Sequence, residues 1–386
     1  MKAGYFRKMM AAGLTLAFGM VGAAQAQTIK IGVIAPLTGG GAPWGLATAE
    51  GAKIAAAEVN AAGGLDVGGK KEKVQVIAYD DQYKAADAVA AYSRLTQQDG
   101  VKYVIIMSSA GSLAVKQNVE DDKVIGLSSS FSAKTIDANS HYMFRLFSTP
   151  RDYLNSVIKW MSGAYTQRRV YLINPNDETG WDQKDQTTRL FKANGFDVIG
   201  SDLYERNVKD FQPIFTKIIA ANPQIIDLGS SSPATAGLMV RQARDLGYKG
   251  LIVKTGGAGP EAIVAAAGKK ASEGVVNVLY ADPDNKGYQK LAQAYKKDTG
   301  NEPNDIIVSY YDATNILFKA ISLAGDANDT AKVAASFAKV LPMKSVQGDT
   351  ITLGGRATSG VDHQFMTSMY IGVIKDGVPV VVGKVQ

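Results

Sequence analysis

The chain contains no cysteine, and histidine occurs only at His141 and His363. The first absence excludes a disulfide framework, a thiolate metal site and a cysteine nucleophile. It also excludes lipid attachment at an export cleavage site, which requires a cysteine there. Two histidines so far apart cannot form H-E-x-x-H, and neither G-x-S-x-G nor G-x-x-x-x-G-K-[ST] occurs. Charge of one sign is not concentrated: 42 Lys and Arg face 36 Asp and Glu, for a net +6. No basic cluster is dense enough to suggest nucleic acid. Beyond the first 26 residues no apolar run is long enough to span a bilayer.

What is present begins with an export signal. Lys2, Arg7 and Lys8 precede an apolar stretch from about Met9 to Ala24, and Ala24-Gln25-Ala26 reads as an A-x-A cleavage site. The stretch is shorter than the roughly 20 apolar residues that a spanning helix needs. The expected mature chain, Gln27 to Gln386, is a free periplasmic protein; losing the three basic residues of the signal leaves it at +3. With 46% hydrophobic residues it can build a full core, and its length suits about two domains.

Short β-branched runs alternate with helical periodicity. Ile29–Ala35, Val74–Ala78, Tyr103–Met107 and Val124–Leu127 read as strands, separated by helices over Thr48–Asn60, Ala85–Gln98 and Ser112–Glu120. The rhythm restarts with strands at Val170–Ile173, Val198–Asp202, Ile225–Leu228 and Leu251–Lys254. Two similar α/β halves with parallel sheets follow, joined near Met143–Arg151. The tail differs: three helical stretches precede a hairpin of Met366–Lys375 and Val378–Lys384 around Asp376-Gly377.

In open α/β sheets, ligands sit beyond the carboxyl ends of the strands, so the loops there are the candidate sites. Leu37 to Gly45 is glycine-rich, but Ala42-Pro43-Trp44 breaks any G-x-G-x-x-G, and Trp44 reads as a pocket wall or a core residue. Ser108-Ser109-Ala110-Gly111-Ser112 offers open N–H groups, hydroxyls and a helix start, a seat for a carboxylate or simply an N-cap. Ser128-Ser129-Ser130-Phe131-Ser132 repeats the chemistry after the next strand, with a polar turn as the plain alternative. In the second half, Asp177 to Asp182 carries Thr179 and Trp181 at a helix start. Gly229 to Pro233, with Ser232, and Thr255 to Gly259, with Gly256, are small and polar. The acids of the first of these also suit a helix N-terminus, and the other two can be tight turns.

As a set, these features resemble the leucine/isoleucine/valine-binding protein family, the amino-acid branch of type I periplasmic binding proteins. The likeness lies in Ile29 through Gly39, in Gly51-Ala52 through Glu58-Val59-Asn60-Ala61-Ala62-Gly63-Gly64, and in Tyr79-Asp80-Asp81. It continues in Arg241-Gln242-Ala243-Arg244-Asp245-Leu246-Gly247 and Ser272-Glu273-Gly274, and covers essentially the whole mature chain. The resemblance implies two Rossmann-like lobes joined by a three-strand hinge, with crossovers near Arg145–Pro150, Glu273–Leu279 and Leu353–Gln364. The first lobe would be 27–147 plus 278–356, and the second 148–277 plus 357–386.

It further implies a ligand carboxylate on Ser108, Ser109, Ala110, Gly111 and Ser112 and on Ser130, Phe131 and Ser132, with Trp44 as an aromatic wall. On the second lobe Gly256 stands where the family has an acid for the ammonium, and Ser232 and Thr179 replace aromatics. An unpaired buried ammonium is costly. The expected ligand is therefore a small carboxylate without an amine, suited to Phe131 and Trp181; an aliphatic amino acid stays open through Asp177, Glu178 or Glu261. The implied partners are that ligand and the permease subunits of an ABC importer. No cofactor, metal or catalysis is implied, and the protein is expected to be a monomer. The alternatives are a periplasmic sensory receptor and an enzyme on the same fold.

Overall fold

The computed structural model describes residues 28–385. The export signal expected over the first 26 residues lies outside them. In the first lobe the strands are β1 (Thr28–Ala35), β2 (Leu65–Val67), β3 (Lys70–Asp80), β4 (Tyr103–Ile106), β5 (Ile125–Ser128) and β6 (Met143–Arg145). The second lobe follows with β7 (Arg169–Pro175), β8 (Asp197–Tyr204), β9 (Ile225–Asp227), β10 (Leu251–Lys254) and β11 (Val276–Leu279). The remaining strands are β12 (Met343–Lys344), β13 (Thr350–Gly354), β14 (Gln364–Met366), β15 (Met369–Lys375) and β16 (Val378–Val385).

They form two sheets. One runs β12-β13-β14-β6-β5-β4-β1-β3-β2 and the other β16-β15-β11-β10-β9-β7-β8. In each, the central strands are parallel; the first sheet is antiparallel at both edges, the second only at the β16 edge, since β8 pairs parallel with β7. Every residue of β4 and β5 is buried, as expected for strands covered by helices on both faces. Strand order reverses at β1 in the first sheet and at β7 in the second. The loops at those two switch points and at neighbouring strand ends turn towards each other, which is where an open α/β sheet leaves a crevice.

The chain crosses between lobes after β6, after β11 and after β14. The cuts expected at 278 and 357 therefore move to follow Leu279 and Met366. The reason is pairing: β11 completes the second sheet beside β10, and β14 pairs with β6 in the first. The same pairing detaches Met366 from the expected hairpin, whose first strand starts at Met369; its turn stands, with Asp376 and Gly377 at φ 51° and 78°. β12 and β14 are too short for periodicity to detect, although β13 alternates as Thr-Ile-Thr-Leu.

Candidate functional site

On the first lobe, the site begins where β1 ends. A short turn at Gly39–Gly41 leads into the Ala42–Ala61 helix with Pro43 in its first turn, a position where the missing N–H costs nothing. Gly45 is required here, since a Cβ would fall 2.0 Å from the Pro36 carbonyl oxygen. This close approach seats Trp44, 4% exposed, in the crevice, where its Nε1 donates across to the Ala258 carbonyl of the second lobe at 3.1 Å. Trp44 is thus both core and wall.

The serine loops divide by task. Ser108 caps the Ser109–Asp121 helix by accepting the Gly111 N–H at 2.9 Å. The Ser112 and Ser128 hydroxyls bond each other at 2.7 Å, and Ser130 accepts from the Ser132 N–H and the Thr135 hydroxyl. The Ser132 side chain accepts from the Lys134 N–H. Buried Arg145 fastens this second loop, its Nε donating to the Ser130 carbonyl at 3.0 Å and its Nη2 to the Ser132 carbonyl at 2.8 Å. Burial lowers its pKa to about 10, so it stays charged at neutral pH. Ser109 and Ser129 are the serines of these loops that reach the cavity. The Ser129 hydroxyl donates to the Met107 carbonyl and accepts from Tyr310. Ser109 only accepts, from the Phe131 N–H at 3.1 Å, so its own proton is free to be donated. It stands in the first turn of its helix, where N–H groups have no intrahelical partner.

On the second lobe, Asp177 caps the Glu178–Ala193 helix through the Gly180 N–H, and its other oxygen pairs with Arg206. Thr179, buried in the first turn, lines the cavity. Trp181 does not: two residues on, it points about 200° away around the helix. It is 45% exposed, and its Nε1 bonds Asn176. The glycine loop after β10 presents Gly257, while Gly256 turns inward, its N–H on the Gly229 carbonyl and its α-carbon against Gln183. Ser232 faces a groove outside the cavity, beside Gly40, with its hydroxyl on Thr235. Ser230 takes the cavity position instead, and its buried hydroxyl has no protein partner among the described residues.

The cavity between the lobes has a volume of about 20 Å³, room for little more than one water with the lobes as they stand. Its first-lobe wall consists of Trp44, Tyr83, Met107, Ser109, Ser129 and Phe131, completed by Phe147 and Ile306; Thr179, Ser230 and Gly257 face them. Of the expected residues, the cavity thus brings together Trp44, Ser109, Phe131 and Thr179. Ser108, Ala110, Gly111, Ser112, Ser130, Ser132, Trp181, Ser232 and Gly256 are not among its lining residues. Sequence reasoning passed over Ser129, Ser230 and Gly257, each inside a loop already singled out, and Tyr83, just after Asp80-Asp81. Met107, Phe147 and Ile306 carried no local signal.

The lining residues bear no charge. Among the acids nearby, Asp81 accepts the Tyr83 N–H, Asp177 holds Arg206, and Asp227 accepts from the Gly229 and Thr255 N–H groups and the Thr255 hydroxyl, whereas Asp305 gives one oxygen to the Tyr280 N–H and has no partner for the other among the described residues. Burial raises Asp81 and Asp227 to about 6. Lys254, at the end of β10, is pulled by burial down to about 7. Contacts bridge the lobes around the cavity: the Arg206 guanidinium lies 4.0 Å from the Tyr83 ring centre, and Asp182 accepts the Ala133 N–H at 3.1 Å while pairing with Arg151. Among the described residues no cluster of His, Asp and Glu could hold a metal ion.

A family model described as "Periplasmic binding protein" matches residues 28–378. Among curated proteins, the chain is 28% identical over 315 residues to the leucine-, isoleucine-, valine-, threonine- and alanine-binding protein of Pseudomonas aeruginosa, covering 80% of this chain and 82% of that one. A leucine-binding protein from Thermotoga maritima superposes with a TM-score of 0.79 at 24% identity, over 93% of this chain and 99% of that one. A solute-binding protein of an ABC transporter from R. palustris, solved with benzoate, gives the same TM-score of 0.79 at 19% identity, over 92% and 96%.

Proposed function

The chain belongs to the periplasmic binding protein family, and from that premise we propose that it is the solute-binding subunit of an ABC importer of the branched-chain amino-acid type, with a small amine-free carboxylate as ligand. One observation carries the ligand class: a cavity of aromatic rings and hydroxyls, with no charged lining residue. An ammonium enclosed there would be buried without a bonded counter-charge, at an effective cost on the order of several kcal/mol. A carboxylate has donors waiting in the Ser109 hydroxyl and the open helix start behind it. Phe131, Phe147 and Trp44 offer apolar faces to an aromatic or branched body. Equal structural likeness to a leucine binder and to a benzoate complex leaves this choice to the lining chemistry.

The mechanism follows from two-lobe geometry. Ligand bound on the first-lobe loops gains the Thr179, Ser230 and Gly257 contacts only when the lobes meet, so it stabilises closure by its differential affinity for the two states. The closed protein, in the periplasm, docks on permease subunits, and ATP is hydrolysed elsewhere in the importer.

A thermal-shift series on residues 27–386 tests the ligand class. Benzoate or 4-methylpentanoate at 100 times its Kd is expected to add about 2.7 kcal/mol of stability, with leucine at equal concentration adding far less. Stabilisation by leucine and not by 4-methylpentanoate would overturn the amine-free reading, and turnover of a bound solute would favour an enzyme.

A further inference from the structure

Lys254 is a buried cation just outside the cavity lining. It ends β10 at 1% exposure. Its ammonium donates to the carbonyls of Gly256 at 2.5 Å and Gly257 at 2.8 Å, and more weakly to Ala258 at 3.4 Å. It also lies 5.4 Å from the centre of the Trp44 indole ring. A Cβ on Gly257 would sit 3.2 Å from the Lys254 Nζ and 2.8 Å from Trp44. The charge therefore stands directly behind two residues of the cavity wall, one from each lobe.

Every hydrogen-bond partner of this ammonium is a neutral carbonyl. The charged groups facing it are Asp227 on β9, Asp305 from the first lobe and Arg206 after β8. Asp227 is taken up by Thr255 and the Gly229 N–H, and Asp305 gives one oxygen to the Tyr280 N–H while its other has no partner among the described residues. The Tyr153 hydroxyl lies next to Gly257, with the Tyr280 hydroxyl beside it. Tying a glycine loop together does not require a charge, and burying an ammonium without a bonded carboxylate is costly. Asp305 and Asp227 offset part of that cost electrostatically, and an anion in the cavity offsets more of it.

We propose that Lys254 is a specificity-determining residue whose charge, acting through the wall formed by Gly257 and Trp44, favours anionic ligands and rejects those carrying an ammonium. The inference rests on the amine-free carboxylate reading and deepens it. At an effective dielectric of about 20, a unit charge some 6–8 Å away alters the affinity of a singly charged ligand by roughly tenfold to a hundredfold. Because burial brings Lys254 to about 7, with Arg206 adding to the effect and Asp305 and Asp227 resisting it, the selection weakens as pH rises through that value.

The test uses isothermal titration of the mature protein with a matched set: 3-methylbutanoate, its neutral amide, and valine, which is the same acid with an amine. Wild type is expected to bind 3-methylbutanoate at least tenfold more tightly than valine at pH 6, with the ratio falling towards pH 9. In Lys254→Met the acid loses at least tenfold, the amide changes less than threefold, and the pH dependence of the ratio vanishes. A merely structural lysine would weaken acid and amide alike and leave the wild-type ratio flat with pH; either result overturns the inference. If wild type prefers valine, the ligand class itself is wrong and the inference falls with it. If wild type prefers the acid and Lys254→Met does so equally, only the inference fails. The wild-type pH profile decides the matter even where the variant does not fold.

Discussion

At the scale of single residues, the molecule is marked by polar groups buried for structural ends. Most of the serines at the two first-lobe strand ends build loops, and Ser109 and Ser129 are the ones presented to the cavity. Composition points to the loops that border the cavity because small hydroxyl residues after a strand suit a polar crevice. It could not tell a capping serine from a lining one, since that depends on which way each Cβ points after the turn. Asp312 shows the same economy far from the cavity. It is 4% exposed, with one oxygen accepting the Ser345 hydroxyl at 2.5 Å and the other the Val346 N–H at 2.9 Å. Burial, only partly countered by those bonds, raises its pKa to about 6. A raised carboxyl pKa means that the folded state holds the proton more tightly than the unfolded one. Its contribution to stability is thus full below the unfolded value near 4 and is lost as pH rises through 6. Asp312→Asn is expected to flatten the decline in unfolding free energy between pH 4.5 and 7 by about 1–3 kcal/mol. Urea titrations of both proteins across that range measure it, and parallel profiles would refute the assignment.

At the scale of elements, the helix that opens the second lobe is the point where sequence logic and hinge geometry meet. Thr149 and Asp152 form a capping box on the Pro150–Ala164 helix, with the Asp152 carboxylate accepting the Thr149 N–H at 2.7 Å. The same oxygen accepts Gln364 Nε2 at 2.6 Å, which ties β14 to this helix between two of the crossings. Asp152→Ala removes both the cap and the cross-hinge bond, and a loss of about 1–3 kcal/mol is expected in equilibrium unfolding. A loss below half a kcal/mol would show that the box does not hold the crossing. The box itself is legible as Thr-Pro-Arg-Asp before an apolar periodicity. The bond to Gln364 is not, because the two residues are joined only through the return of the chain after the second crossing. Helix phase explains the other miss at this scale: Trp181 shares a loop with Thr179, yet the rotation per residue carries it to the outer face.

At the scale of the whole molecule, the lobes meet around the cavity. Trp44 bonds to Ala258, the Ala133 N–H donates to Asp182, and the Arg206 guanidinium lies over Tyr83. Burial works against the charge of Arg206, but Tyr83 and Asp177 outweigh it and hold its pKa above the ordinary value. The stacking is a cross-lobe attraction of about 0.5–2 kcal/mol, enough to shift an open–closed balance severalfold. Arg206→Met is expected to enlarge the radius of gyration of the ligand-free protein in small-angle scattering and to weaken ligand binding about three- to tenfold. An unchanged radius together with unchanged affinity would show that this pair does not bias closure.

The amino-acid sequence by itself determined the class of the molecule: two α/β halves, strand-end loops of small polar residues, and no histidine or cysteine constellation for chemistry. Those properties are written in local periodicity and composition, because a strand buried on both faces and a helix beside it each need their own residue pattern wherever they pack. The tertiary structure alone decided which strand completes which sheet, which of neighbouring serines and glycines faces inward, and that Phe147, Ile306 and Tyr83 share a cavity with Trp44. Each of these depends on contacts between residues far apart in the chain. The pairing of β14 with β6 and the enclosure of a crevice by two separate lobes leave no trace in any short window of sequence.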